Sequence, residues 1–142
     1  MSSPMRIPTH VLQQLVPDKR MRRNESKTTD LCAELNRALK AERFDQAIDL
    51  YELIEKRKPD EPRWAHRKGD LLRRIGRDAE AVIAYEHAVH LYSDKGFDAR
   101  AAATARFLVA IDPSKHEVLD WVDSQAARRS ERQSRSRFQL NY

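Results

Sequence analysis

Residues 43–59, RFDQAIDLYELIEKRKP, and residues 77–93, RDAEAVIAYEHAVHLYS, are two versions of one pattern. Ala47 answers Ala81, Ile48 answers Val82, Asp49 answers Ile83 and Tyr51 answers Tyr85, each pair thirty-four positions apart. Working outward, the turn around Glu42 and Arg43 falls on Gly76 and Arg77, and each stretch is preceded by another amphipathic run. The chain over 30–59 is thereby answered by 62–92, and each half reads as helix, short turn, helix. A helical hairpin recurring at this period predicts a stacked all-α array, because one hairpin cannot bury its apolar face alone.

The spacing predicts six helices. The first covers 30–41, with Leu31, Leu35, Ala38 and Leu39 at the i, i+4, i+7, i+8 positions of one face. The second covers 45–57, with Ala47, Ile48, Tyr51 and Ile54 inward and Asp45 as cap. Pro59 stops it, Asp60 is placed to cap the third, 61–75, and Pro62 is tolerated in that first turn. A fourth follows over 78–94. The fifth, 98–111, carries Ala99, Ala101, Ala102, Ala103 and Ala105, small enough for another helix to approach closely. Asp112-Pro113 ends it, and Ser114 with Glu117 forms a capping box for the sixth, 115–128. Val118, Leu119 and Val122 face inward there, with Trp121 partly covered.

The chain has 142 residues, 40% hydrophobic and 35% charged, so its core must be narrow, as in a stack of thin hairpins. Its three glycines, Gly69, Gly76 and Gly96, all lie in the helical part, which argues against an all-β fold. The net charge of +5 is uneven. Residues 1–29 hold six Lys or Arg against two acids, and 128–142 hold five arginines against one. The middle, 30–127, has 16 basic and 19 acidic residues, so the body is mildly acidic between basic ends. Three segments follow: a flexible basic N-terminal arm (1–28), a helical domain (29–128) and a flexible Arg/Ser-rich C-terminal tail (129–142). Within the arm, Thr9 can cap a short turn before an apolar patch at Val11, Leu12, Leu15 and Val16.

The lone Cys32 cannot make an internal disulfide, which suits a reducing compartment. Residues 1–16 lack the long apolar run and cleavage region of a signal peptide, and no stretch is apolar enough to span a membrane. The expected location is cytoplasmic.

The repeats resemble the tetratricopeptide repeat. In the second, Gly69, Ala81, Tyr85 and Ala88 fall at that family's small, alanine, aromatic and alanine positions; the first has Ala47, Tyr51 and Pro59. The third unit admits two alignments. Set on Pro113, the ruler places Gly96 in the turn and Ala101 at the alanine position, with 82–94 as its first helix. Simple alternation instead makes helices five and six the third hairpin, and this arrangement is the expected one. The resemblance implies a right-handed α-solenoid of about three hairpins, a concave groove lined by each repeat's first helix, and protein binding without chemistry of its own.

The expected groove residues are Asn36, Arg63, His66, Arg67, Asp70 and Arg74. Arg63, Arg67, Asp70 and Arg74 recur at three- and four-residue spacing on one helix face. Several guanidinium forks on one face favour carboxylates or phosphates. Asn36, Arg63 and Arg67 also fall where some family members grip a C-terminal carboxylate, although Cys32 stands where that clamp has Lys. The expected partner is an acidic or C-terminal peptide segment. Tyr51 and Tyr85 are expected to be core packing.

Glu86, His87 and His90 lack a third close partner for a metal, and no phosphate loop, nucleophile elbow or cysteine cluster occurs. Cys32 has no obvious activating base. No enzyme activity, metal or cofactor is expected. The basic runs, Lys19, Arg20, Arg22 and Arg23 at one end and Arg128, Arg129, Arg132, Arg135 and Arg137 at the other, support a second reading of weak nucleic-acid contact. Phe138, Leu140 and Tyr142, at alternating positions, suit a docking peptide. Two or three repeats lie near the lower limit for a stable array, so a homo-oligomer or larger assembly is expected.

Overall fold

Three turns of one geometry set the helices side by side. The computed structural model describes residues 19–140. They form α1 (Lys19–Lys40), α2 (Phe44–Arg57), α3 (Pro62–Arg74), α4 (Asp78–Asp94), α5 (Asp98–Ile111) and α6 (His116–Leu140), with a 3-10 turn, Pro113–Lys115, before α6. No strand occurs among the described residues.

The turns α1–α2, α3–α4 and α4–α5 each pivot on one left-handed residue: Glu42 (φ 57°), Gly76 (φ 82°) and Gly96 (φ 81°). Their hydrogen bonds are equivalent. Arg43 N donates to the Ala38 carbonyl, Arg77 N to Leu72 and Phe97 N to Tyr92, while the pivot residues donate to Leu39, Arg73 and Ser93. This paired closure satisfies carbonyls that a helix end leaves free. Glycine takes that conformation without strain, whereas Glu42 carries a Cβ penalty of about 1–2 kcal/mol.

The turn at Gly96 therefore repeats the hairpin turn, as in the alignment set on Pro113, and not the expected arrangement, in which the fifth and sixth helices form the third hairpin; those two are joined through Pro113 and a 3-10 turn. Helix α4 is both the second helix of one hairpin and the first of the next. Proline marks the two remaining links: Pro59 follows α2, and Asp112-Pro113 follows α5.

Each helix packs on its neighbours in sequence, and α6 also reaches α4. Every helix contributes to the core. Among its members are Leu35 and Ala38 from α1, Ile48 and Ile54 from α2, Leu72 from α3, Val89 from α4, Leu108 from α5 and Val122 from α6. Ala81, Ala88, Ala101 and Ala105 are wholly buried and allow α4 and α5 to approach closely. Lys68 Nζ lies 3.0 and 3.2 Å from the two carboxylate oxygens of Glu55, a largely covered ion pair between α2 and α3.

Both ends depart from expectation. Helix α1 starts at Lys19 rather than residue 30, and α6 runs to Leu140 rather than ending at 128, so the two basic segments are helical where described. Lys, Arg, Met, Glu and Gln are good helix formers that need no apolar face to continue a helix already begun. Arg129 adds a tertiary anchor, donating to the Asp98 carboxylate and the Ser93 carbonyl. The capping pattern differs too. Ser114 donates from both N (3.1 Å) and Oγ (2.6 Å) to Asp112, which closes the 3-10 turn and displaces the capping box. Neither Asp45 nor Asp60 is the N-cap residue; Arg43 and Glu61 are, without side-chain caps. The positions at Thr9, 11–16, Asn141 and Tyr142 lie outside the described residues.

At Gly69 an added Cβ would stand 2.9 Å from two atoms of the Tyr85 ring. Gly69→Ala should lower stability by about 1–3 kcal/mol through overpacking. Glu42→Gly should raise it by about 1 kcal/mol by relieving the left-handed pivot. Urea unfolding of the two variants checks both signs.

Candidate functional site

Helix α3 carries the charge-bearing face, and its local sequence explains how that face is held. Pro62 opens the helix, and Glu61 just before it accepts from the Trp64 indole N–H (2.9 Å) and from Arg63 (3.0 Å). Trp64 is buried, while Arg63 and Arg67 lie over its ring at 4.5 and 5.6 Å. Arg74 lies 5.6 Å from the centre of Phe44 on α2, and Arg73 lies 4.4 Å from Phe107 on α5. Each guanidinium rests on an aromatic plane, an arrangement that attracts it electrostatically and restricts its motion.

Between these arginines lies a trough of about 240 Å³, lined by Leu39 from α1, Tyr51 from α2 and Arg67, Asp70, Leu71 and Arg74 from α3. Asp70 is its acidic centre. It accepts 2.6 Å from the Tyr85 hydroxyl, and its other oxygen is 3.8 Å from His66 Nε2. His66 Nδ1 is 3.4 Å from the Tyr92 hydroxyl, and its ring meets Tyr85 and Tyr92 edge to face. Phe107 meets the other side of Tyr85, ring centres 5.3 Å apart.

The electrostatics follow from this packing. Burial raises the Tyr51 hydroxyl above the ordinary tyrosine range, Arg67 opposes the rise and Asp70 adds to it. Tyr85 is raised further, by burial first, then by its hydrogen bond to Asp70 and that carboxylate's charge, against the pull of Arg73. Both tyrosines stay protonated donors through neutral pH.

The structure thus brings His66, Arg67, Asp70 and Arg74 together. Arg63 adjoins them but is bridged to Glu61. Asn36 is exposed on α1, one turn before Leu39. Arg67 and Arg74 have no carboxylate within 4.0 Å among the described residues. Sequence reasoning missed Leu39, Phe44, Tyr92 and Phe107. It also placed Tyr51 and Tyr85 wholly in the core; their rings are there, but their hydroxyls face this polar cluster. The available signal was tyrosine where phenylalanine would fill the same space.

A second depression, of about 440 Å³, lies where α1 passes the α2–α3 link, with Thr29, Cys32, Lys58 and Trp64 among its lining residues. Glu86 pairs with Lys115 at 3.1 Å and His90 packs against Trp121 at a tilt, so each is engaged elsewhere than at a shared metal position with His87. Among the described residues no three His, Cys, Asp or Glu side chains are grouped as metal ligands.

Arg22, Arg23, Arg128, Arg132, Arg135 and Arg137 are exposed, whereas Arg129 is docked on Asp98. Phe138 is exposed, and it and Leu140 belong to α6. Within this helix the positions of Phe138 and Leu140 fall on different sides, and Tyr142, the third residue of the docking-peptide reading, lies outside the described residues. No described helix is long and apolar enough to cross a membrane.

No family model, curated protein or solved structure matches the chain.

Tyr85→Phe should cost about 1.5–3 kcal/mol at neutral pH, the worth of a hydrogen bond to a carboxylate. An unfolded tyrosine ionises near pH 10, while folded Tyr85 holds its proton higher. Its contribution is therefore complete below about pH 10 and is lost as pH rises toward the folded value. Urea midpoints in alkaline buffers should fall above pH 10, less steeply for Tyr85→Phe than for wild type.

Proposed function

We propose that this chain is a non-catalytic adaptor, a right-handed α-solenoid of tetratricopeptide-like hairpins that docks a partner's acidic segment in the α3 trough. The 34-residue offset, the equivalent hairpin turns and the packing of sequential helices support the architecture. A cytoplasmic setting suits its single free cysteine.

One observation carries the binding reading. Arg67 and Arg74 flank the trough, each steadied on an aromatic ring and neither neutralised by a carboxylate. They are seven residues apart, so about 10 Å along the helix axis. An extended chain rising about 3.3 Å per residue covers that distance in roughly three residues. A segment with carboxylates about three residues apart, one of which can be a C-terminal carboxylate, therefore meets both guanidinium forks. Asp70 between them accepts a backbone N–H of the same segment. Arg63 acts at the edge, holding Trp64 through Glu61.

The test is capture from nuclease-treated native lysate, followed by affinity measurement with the partner recovered. Arg67→Glu/Arg74→Glu should weaken the complex by about a hundredfold or more, since each charge-assisted bond contributes about 1.5–3 kcal/mol. Charge reversal at Arg106, outside the trough, should leave it intact. Equal binding by the double variant, or equal loss at Arg106, overturns the proposal.

A further inference from the structure

The C-terminal half of α6 projects beyond a single anchor, and its chemistry differs from that of the trough. Arg129 fixes its direction by docking on Asp98 and the Ser93 carbonyl. Beyond that anchor residues 130–139 are exposed around the whole helix. Trp121, Arg128, Arg132 and Arg135 follow one another at seven-, four- and three-residue spacing and so share one side. The row spans about 21 Å along the axis. At its root Trp121 packs against His90 at a tilt, ring centres 4.5 Å apart. Arg128, Arg132, Arg135 and, on another side, Arg137 have no carboxylate within 4.0 Å among the described residues.

We propose that this arginine row is a docking surface for the phosphate backbone of a nucleic-acid duplex, independent of the trough. Charge complementarity selects the partner class. Between Ala127 and the end of the helix at Leu140 the only large apolar residues are Phe138 and Leu140, two positions apart and so on different sides, and they do not make the apolar centre of a protein interface or the apolar face of a membrane-surface helix. Binding driven by counterion release needs neither. The residues interleaved with the arginines, Ser130, Gln133, Ser134, Ser136 and Gln139, are hydroxyl and amide donors of the kind that contact phosphate oxygens. A helix about 10–12 Å wide also fits the major groove of B-form DNA, leaving the arginines free to reach the flanking strands, whereas on an RNA duplex the row would track the phosphates from outside its deep, narrow major groove. DNA and RNA duplexes present the same phosphate chemistry, and the experiment separates them.

The full chain is titrated against fluorescein-labelled duplex DNA of mixed sequence, and against duplex RNA, by anisotropy over a KCl series. Wild type should bind at least one duplex, with log Kobs falling linearly against log[KCl]. Arg128→Ala/Arg132→Ala/Arg135→Ala should weaken low-salt binding and flatten that slope by about 3, at roughly 0.9 per phosphate contact. Lysine at the three positions should preserve the slope, because charge rather than fork geometry sets counterion release. Arg67→Glu/Arg74→Glu should leave it unchanged, which separates this surface from the trough. Alanine favours the helix, and circular dichroism confirms that helix content is kept. The proposal is overturned if neither duplex binds at low salt, or if the triple alanine variant retains the wild-type slope. It is overturned equally if Arg22→Ala/Arg23→Ala removes the slope instead, or if poly-glutamate or anionic phospholipid vesicles compete as well as duplex.

Discussion

The ring of Tyr85 is where α3, α4 and α5 meet. It is wholly buried, and α3 can lie against it only because residue 69 has no side chain. Burying a phenol requires a partner for its hydroxyl, and Asp70, the next residue on α3, supplies one at 2.6 Å. The same ring takes the edge of His66 from α3 and that of Phe107 from α5. One side chain of α4 therefore sets the separation of α3 and α4, orients the carboxylate at the centre of the trough and fixes where α5 closes. Stability and site geometry cannot be altered separately here.

That coupling explains how α3 can hold Arg63, Arg67, Arg73 and Arg74 within three turns. Like charges so close repel, and one acid in the trough cannot neutralise four guanidinium groups. Cation–π contact with Trp64, Phe44 and Phe107 offsets part of this cost and uses ring faces that would otherwise remain apolar surface. Lysine would not serve as well, because a hydrated ammonium does not stack as a planar guanidinium does. The aromatic residues also hold the arginines in place before a ligand arrives, which lowers the entropy lost on binding.

The repeating part of the fold was legible in the chain because its determinants are local. The alanines at 47 and 81, the tyrosines at 51 and 85, Gly76 in the turn and Pro59 after α2 each act within a few residues. The third unit was read the other way: alternation favoured pairing the fifth and sixth helices, whereas the hairpin turn recurs at Gly96, so α4 serves two hairpins. The ends were not legible. The run 130–137 has no apolar periodicity, and its helix depends on propensity and on Arg129 finding Asp98 thirty-one residues earlier. Ser114 was misread for a similar reason, because Asp112 accepts from it two residues away, ahead of any box with Glu117. In the site, the arginine spacing on α3 was visible, while its aromatic supports came from α2 and α5 and depended on tertiary packing.

The exposed half of α6 has a different energetic basis from the rest. Elsewhere buried apolar surface stabilises the helices; residues 130–139 are exposed, and an isolated helix of that length is marginal in water. Five arginines against one glutamate in 128–142 add repulsion that favours a looser chain. A polyanion along the row cancels the repulsion, so binding and helix formation reinforce each other at this end. The trough works in the opposite way, since its groups are held by the core before any ligand arrives. One surface is preorganised by packing and the other is stabilised by its ligand, so salt should weaken the second far more than the first.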